Sequence, residues 1–255
     1  MAINFPTSLD NFTNPSSGNT LDSPSHSLQH SDINDAVEAL ERKVGLGTAV
    51  AGSASAGQVL TASTGGTTTW STPTTPGLVQ IVPTSVAVGS GSGSVDANGA
   101  VTFSGASSVS LNSCFSATYD NYLVLVSYTG TGTAVDLNIR LRLSGTDATG
   151  AGTYKSQYID ASSTSVSGAR DSNTYHLIGT SSSTASMLQS SKVHLYDVFK
   201  ASPTAIQAEN QSNLSSGYLR IVGGSHTVST AYDGFTVYPG SGNLTGLIRV
   251  YGYKN

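Results

Sequence analysis

From Leu78 onward the chain consists of short runs of apolar and polar residues, most of them separated by Gly, Ser, Asn or Asp. Residues 136–145, DLNIRLRLSG, alternate cleanly, as a β-strand with one buried face does. Residues 121–128, NYLVLVSY, are nearly all apolar or aromatic and indicate a central strand covered on both faces. About ten to twelve such antiparallel strands predict a β-sandwich or jelly-roll-like domain over residues 78–255.

Two details of this domain follow from the same patterns. Asn98-Gly99 lies between two alternating runs and predicts a hairpin with a two-residue loop. The strand within residues 136–145 is expected to point its aliphatic side chains into the core, and these are Leu137, Ile139, Leu141 and Leu143.

The helix that the sequence predicts covers residues 31–45, with Ser31 or Asp32 as its cap and Gly45 as its stop. Its apolar residues are spaced by four, three and four positions, which is a coiled-coil seam. A helix of about four turns is marginal alone in water, so it needs a partner. We expect self-association through this seam; the alternative is packing on its own domain. The seam residues are Ile33, Val37, Leu40 and Val44.

Residues 1–30 contain three prolines and many small polar residues, so the sequence predicts an extended arm. Two phenylalanines are unexpected in a purely solvated linker, and we interpret the arm as a peptide that lies on another protein. The alternative is a disordered tail. The expected anchors are Ile3, Phe5, Leu9 and Phe12.

Residues 46–77 form a Gly/Ser/Thr-rich connector. Within it, residues 59–61 and 67–70 are predicted to be two short strands on either side of Gly65-Gly66. Trp70 is the single tryptophan, and the TPTTPG run that ends at Gly77 is the predicted domain boundary.

Charged residues make up only 10% of the chain, against about 25% in typical soluble domains. Six acids and two bases in residues 1–45 give −4, which equals the formal charge of the whole chain. No basic patch exists, so nucleic acid is an unfavourable ligand. Cys114 is the only cysteine, which excludes an intrachain disulfide. We expect synthesis in a cytosol without a signal peptide and without membrane insertion.

The sequence contains none of the familiar catalytic or nucleotide-binding motifs, and we expect no enzymatic activity, no cofactor and no metal. His26 and His30 are four residues apart but precede the predicted helix, so hydrogen bonds around the helix start or across a trimer axis are favoured over metal binding. Nine acids spread over residues 78–255 offer no evident carboxylate pair for glycoside hydrolysis.

Glycan binding is the favoured function of the β domain. Tyrosine faces stack on sugar rings, and loops at a sandwich end commonly assemble such sites. The alternative is that these tyrosines are ordinary half-buried strand residues. The candidate contacts are Tyr154, Tyr158, Arg170, Asp171, Tyr175, Tyr232 and Asp233.

Two segments of the N-terminal third resemble tailed-bacteriophage fibre, spike and other virion structural proteins. They are PSHSLQHSDINDAVEALERKVG and GQVLTASTGGTTTW, which fit the patterns PSHSxQHxDxNDAxEALExKVG and GQVLTxxxxGxxxW. FSATYDNYLVLVSYTGTG and GLIRVYGYKN resemble β modules of such proteins more loosely.

The resemblance implies a homotrimer on the virion, made in the host cytoplasm. Residues 1–30 would dock it to a tail, baseplate, neck or capsid protein, and residues 31–45 would form a three-stranded coiled coil. The domain at 78–255 would then be an exposed tip for host attachment and receptor binding. The alternatives are a structural adaptor or head or neck decoration protein without host contact and, less favoured, a surface-polysaccharide hydrolase.

Overall fold

A computed structural model describes residues 18, 20, 22, 25–44, 55, 57–62, 68–73, 77–130, 134–181, 188–212 and 217–254. The chain divides into two compact units, Met1–Thr75 and Pro76–Asn255. The predicted anchors Ile3, Phe5, Leu9 and Phe12 lie outside the described residues, and so does the side chain of Val44.

The helix of the first unit, α1, runs from His26 to Val44 and has 19 residues. It therefore begins five residues before the predicted start at 31, and its first turn closes with a 3.1 Å hydrogen bond from the Gln29 N–H to the Ser25 carbonyl. Ser31 and Asp32 are inside the helix, so the predicted cap is wrong. The physical reason is that no Gly or Pro interrupts residues 25–44, and the helix begins two residues after Pro24.

The apolar side of α1 is exposed in this single chain. The solvent-exposed fractions are 52% for Ile33, 49% for Val37 and 52% for Leu40. These values are high for large aliphatic side chains at regular helical spacing.

The first unit also contains a two-stranded antiparallel hairpin, as the sequence predicts. Strand β1 (Val59–Ala62) pairs with β2 (Thr68–Ser71), and Leu60 lies opposite Trp70. A 2.8 Å hydrogen bond joins the hydroxyls of Thr61 and Ser71 across the pair.

The second unit is built from antiparallel sheets. Its strands are β3 (Leu78–Ile81), β4 (Ser85–Val88), β5 (Ser92–Val95), β6 (Val101–Ala106), β7 (Val109–Asn112), β8 (Asn121–Thr129), β9 (Val135–Leu143), β10 (Thr146–Asp147), β11 (Tyr154–Ser162), β12 (Ser165–Asn173), β13 (His176–Ser181), β14 (Leu188–Tyr196), β15 (Thr204–Ser212), β16 (Tyr218–His226), β17 (Gly234–Pro239) and β18 (Leu244–Tyr253).

These strands form a larger and a smaller sheet. The larger has the order β12-β11-β16-β15-β14-β8-β18-β6-β5, with β3 also paired to β18. The smaller has the order β10-β9-β17-β7-β4, with β13 paired to β9. Side chains from both sheets enter one hydrophobic core, in which Tyr122 of β8 and Ile139 of β9 are fully buried. The unit is therefore a mainly β, sandwich-like domain.

The strand predictions hold in their main points, but the described residues of this unit form sixteen strands rather than the predicted ten to twelve. Strand β8 lies between β14 and β18 in the larger sheet, as its apolar character predicts. Leu137, Ile139 and Leu141 are fully buried, but Leu143 is 44% exposed because it is the last residue of β9, so its predicted inward position is wrong.

The hairpin at Asn98-Gly99 also forms, but its loop is longer than predicted. Val95 of β5 pairs with Val101 of β6, which leaves residues 96–100 in the loop. The Asp96 carboxylate accepts hydrogen bonds from the Asn98 and Ala100 N–H groups, at 2.9 and 2.8 Å, and this closes a wider turn.

Candidate functional site

A groove lies where strands β12, β11 and β16 run side by side in the larger sheet. Its volume is about 570 Å³. Burial alternates along β11, where Tyr154 and Ser156 are buried whereas Lys155 and Gln157 are exposed, so the odd-numbered side chains face solvent. The residues that line the groove are Lys155, Ser156, Gln157, Arg170, Asp171, Ser172, Gly223 and Gly224.

The floor of the groove is made by two consecutive glycines of β16, which have different reasons to be glycine. A Cβ on Gly224 would lie 1.8 Å from the Lys155 carbonyl oxygen, so packing forbids a side chain there. A Cβ on Gly223 would meet no atom within 4 Å, so packing leaves room for one. Glycine inside a strand costs stability, and it often marks a place where a ligand or another backbone comes close. Gly223 keeps the floor of the groove open.

The walls of the groove carry two cationic side chains and an amide. The Lys155 ammonium donates a 2.6 Å hydrogen bond to the Ser172 hydroxyl, which holds it against β12. The Gln157 amide donates to the Ala169 carbonyl at 3.1 Å, and Arg170 lies exposed beside it. Register places Gln157 between Arg170 and Gly223 on the same face. Asp171 also lines the groove, so its lining carries two cations and one carboxylate. This arrangement can bind hydroxyl groups and a substituent with a single negative charge.

Of the seven predicted glycan contacts, Arg170 and Asp171 line this groove. Tyr158 does not, since it lies half-buried beneath the Arg220 guanidinium, whose central carbon is 4.7 Å from the ring centroid. Tyr175 packs edge-to-face against Tyr238, with ring centroids 6.2 Å apart.

The remaining three predicted contacts are buried or hydrogen-bonded within the protein. Tyr154 and Tyr232 are only 0% and 4% exposed, and the Tyr154 hydroxyl accepts a 2.9 Å hydrogen bond from the Leu141 N–H. The Asp233 carboxylate accepts a 3.0 Å hydrogen bond from the Ser144 N–H. Because Tyr154 and Tyr232 are buried, the prediction that they contact a glycan is wrong. The seven predicted residues do not form one site.

Sequence reasoning missed Lys155, Gln157 and Gly223. The signal that could have found them is the Gly-Gly pair inside the alternating run GYLRIVGGSH, because glycine is depleted in strand interiors.

A second feature of the same sheet face is a row of stacked rings. The His194 ring stacks on Tyr196 and Tyr253, with centroids 6.3 and 6.0 Å apart, and its Nδ1 is 2.9 Å from the Tyr253 hydroxyl. Burial is the main cause that lowers the pKa of His194, and nearby Lys192 adds to it. Leu123 faces this side of β8 and is only 6% exposed. Leu125 and Ser127 on the same side of β8 are only partly buried, so the prediction that β8 is covered on both faces holds only in part.

Within the described part of one chain, no group of three or more His, Cys, Asp or Glu side chains is placed to hold a metal ion. Cys114 is buried, and burial raises the pKa of its thiol. Among the described residues, no helix is both long enough and apolar enough to cross a membrane.

No family model, curated protein or solved structure matches the chain.

Proposed function

We propose that this chain is a structural protein of a tailed-bacteriophage virion, a short trimeric fibre or spike whose β domain binds a host-surface glycan. The observation that carries the glycan proposal is the open floor at Gly223, flanked by Gln157, Lys155 and Arg170 on an exposed sheet face. The virion assignment is supported by the resemblance of the two N-terminal segments to phage fibre proteins. In this proposal residues 1–30 dock the protein to the particle.

The trimer proposal is supported by the exposed side of α1. Ile33, Val37 and Leu40 are each about half exposed in the single chain, with exposures of 52%, 49% and 52%. A helix of 19 residues gains little stability from propensity alone, so burying this stripe against copies of itself supplies the missing packing.

Replacing Val37 and Leu40 together by Asp is expected to dissociate the trimer, because charged side chains would then have to be buried in the seam. Light scattering after size-exclusion chromatography should give three times the 26.0 kDa chain mass for the unaltered protein and a single chain mass for the variant. Asp35→Asn, on an exposed position away from the seam, is the matched control and should stay trimeric. A single-chain mass for the unaltered protein at micromolar concentration would contradict the trimer.

Gly223→Thr is expected to lower the affinity for the glycan at least about tenfold. The threonine side chain would fill the floor of the groove, yet it should not destabilise β16, because space is open there and β-branched residues favour strands. Binding is measured with the full chain on an array of bacterial surface polysaccharides, and folding by the thermal midpoint. Ala205→Thr, also solvent-facing but on β15, is the matched control and should bind normally.

A structural adaptor without host contact is the second candidate, and exposed aliphatic side chains favour it. Ile159 and Ile221 are paired across β11 and β16 and are 53% and 45% exposed, and Val166 of β12 is 74% exposed. Such a patch is suited to another virion protein. If the unaltered protein binds no polysaccharide on the array, the adaptor is favoured and the glycan proposal fails.

A further inference from the structure

We infer that His26 and His30 form a transition-metal site, of the kind that takes Zn²⁺ or Ni²⁺, which is shared between copies of the chain at the start of α1. This inference rests on the trimer of the proposed function. It follows from two observations, the geometry of the histidine pair and its position in the helical repeat.

The two rings lie one helical turn apart on the same side of α1. Their Nε2 atoms are 3.2 Å apart, and the ring centroids are 4.5 Å apart in an edge-to-face arrangement. Two imidazole nitrogens bound to one tetrahedral zinc at about 2.0–2.1 Å would be separated by about 3.4 Å. A pair of histidines at positions i and i+4 of a helix is a recurrent zinc-binding arrangement. The two Nε2 atoms are thus already at about the separation that binding to one zinc ion requires.

The second observation is the register of the pair in the seam. Helix α1 begins at His26 and not at residue 31, so both histidines are helical. His30 is four residues after His26 and three residues before Ile33, and the pair thus continues the spacing of the seam toward the helix start. They therefore occupy seam positions and face the same side as Val37 and Leu40. Polar groups buried at seam positions cost stability unless they are bonded, and a metal ion satisfies imidazoles from several chains at once.

The pair gives two ligands from each chain. Within the described part of a single chain, no group of three or more potential ligands is assembled. A tetrahedral ion needs four donors, and two or three copies of the pair supply four to six imidazole nitrogens at one end of the coiled coil.

The test uses the full chain after treatment with a chelator, and the added probe is ZnCl₂ alone. The chain mass is measured first, without metal, and zinc binding is then measured by calorimetry. The expected result is a trimer that binds fewer than one zinc per chain and melts at a higher temperature when zinc is present. His26→Gln and His30→Gln should each weaken zinc binding at least about tenfold while leaving the metal-free mass unchanged. His194→Gln controls for binding to other imidazoles and should bind zinc normally.

Three results would overturn the inference in distinguishable ways. If the metal-free chain is a trimer but the His26 and His30 variants bind zinc as well as the unaltered chain does, the metal site is wrong and the trimer stands. If the metal-free chain has the mass of one subunit, or if zinc binds with one ion per chain, the shared site is wrong. Only the mass result also counts against the proposed function.

Discussion

Gly224→Ala is expected to lower the free energy of unfolding by about 3 kcal/mol, whereas Gly223→Ala, one residue earlier, should leave it unchanged or raise it by up to about 1 kcal/mol. The added methyl at position 224 would lie 1.8 Å from the Lys155 carbonyl oxygen and 2.7 Å from the buried His176 Nε2. Lys155 belongs to β11, which pairs with β16 along nine residue pairs, so the backbone cannot move aside without breaking that pairing. At position 223 no atom lies within 4 Å of the added methyl.

The two alanine variants form a matched pair, because they add the same group to the same strand on opposite faces. Unfolding in urea should be followed by far-ultraviolet circular dichroism, since Trp70, the only tryptophan, belongs to the other unit. Equal losses in the two variants would mean that the glycines are required by the strand conformation rather than by packing at position 224. In that case strand conformation would explain Gly223, and a ligand would not be needed to explain it.

The sheets could be predicted from local alternation because burial imposes the two-residue period directly on the sequence. Strand β9 has Leu137, Ile139 and Leu141 in the core for this reason. The pattern fails at Leu143, where the strand ends, and at Asn138, a polar residue that is only 2% exposed. The start of α1 was missed for a different reason. The segment HSLQH is polar and lacks an apolar stripe, so nothing in its periodicity marks it as helix, although it also contains no residue that would stop one.

The candidate groove could not be predicted, because it depends on which strands pair and in what register. Gln157 of β11 lies opposite Gly223 of β16, which is distant in sequence, and no local pattern gives that pairing. The burial of the tyrosines could not be predicted for the same reason, because residue type alone does not distinguish the fully buried Tyr154 from an exposed tyrosine. Arg170 and Asp171 are predicted as glycan contacts from the sequence, but most of the residues beside them in the groove lie on β11 and β16.

Arg220 connects the two sheets of the β domain through ion pairs. Its guanidinium makes a bidentate contact with Asp160 of β11, at 2.6 and 2.8 Å, and a third hydrogen bond to Asp136 of β9 at 2.7 Å. The side chains of Arg220 and Asp160 are only 8% and 15% exposed, whereas that of Asp136 is 50% exposed. Asp160 thus depends on Arg220 for the compensation of a buried charge.

Arg220→Met is expected to lower the free energy of unfolding at neutral pH by about 3 kcal/mol, because it leaves the Asp160 carboxylate buried without its cation. Urea unfolding measures the loss, and the double variant Arg220→Met with Asp160→Asn should recover part of it. Asp136→Asn should cost under about 1 kcal/mol, since that carboxylate is half exposed. A double variant as unstable as Arg220→Met alone would show that the loss came from packing of the arginine stem rather than from the unpaired charge.

The pH dependence of the same variant gives an independent check. Burial alone would raise the pKa of Asp160, but hydrogen bonds from Arg220 and Tyr218 together with the arginine charge outweigh it and lower the pKa below 3.8. Because the folded carboxyl binds a proton less readily than the unfolded one, its contribution is present above about pH 4 and is lost as the pH falls through the folded pKa. Without Arg220, burial raises the pKa of Asp160 instead. The carboxyl of the variant is therefore protonated as the pH falls, which removes the buried charge. The difference in free energy of unfolding between the unaltered protein and Arg220→Met should therefore decrease from neutral pH toward about pH 3. A difference that stays constant over this range would contradict the ion-pair account.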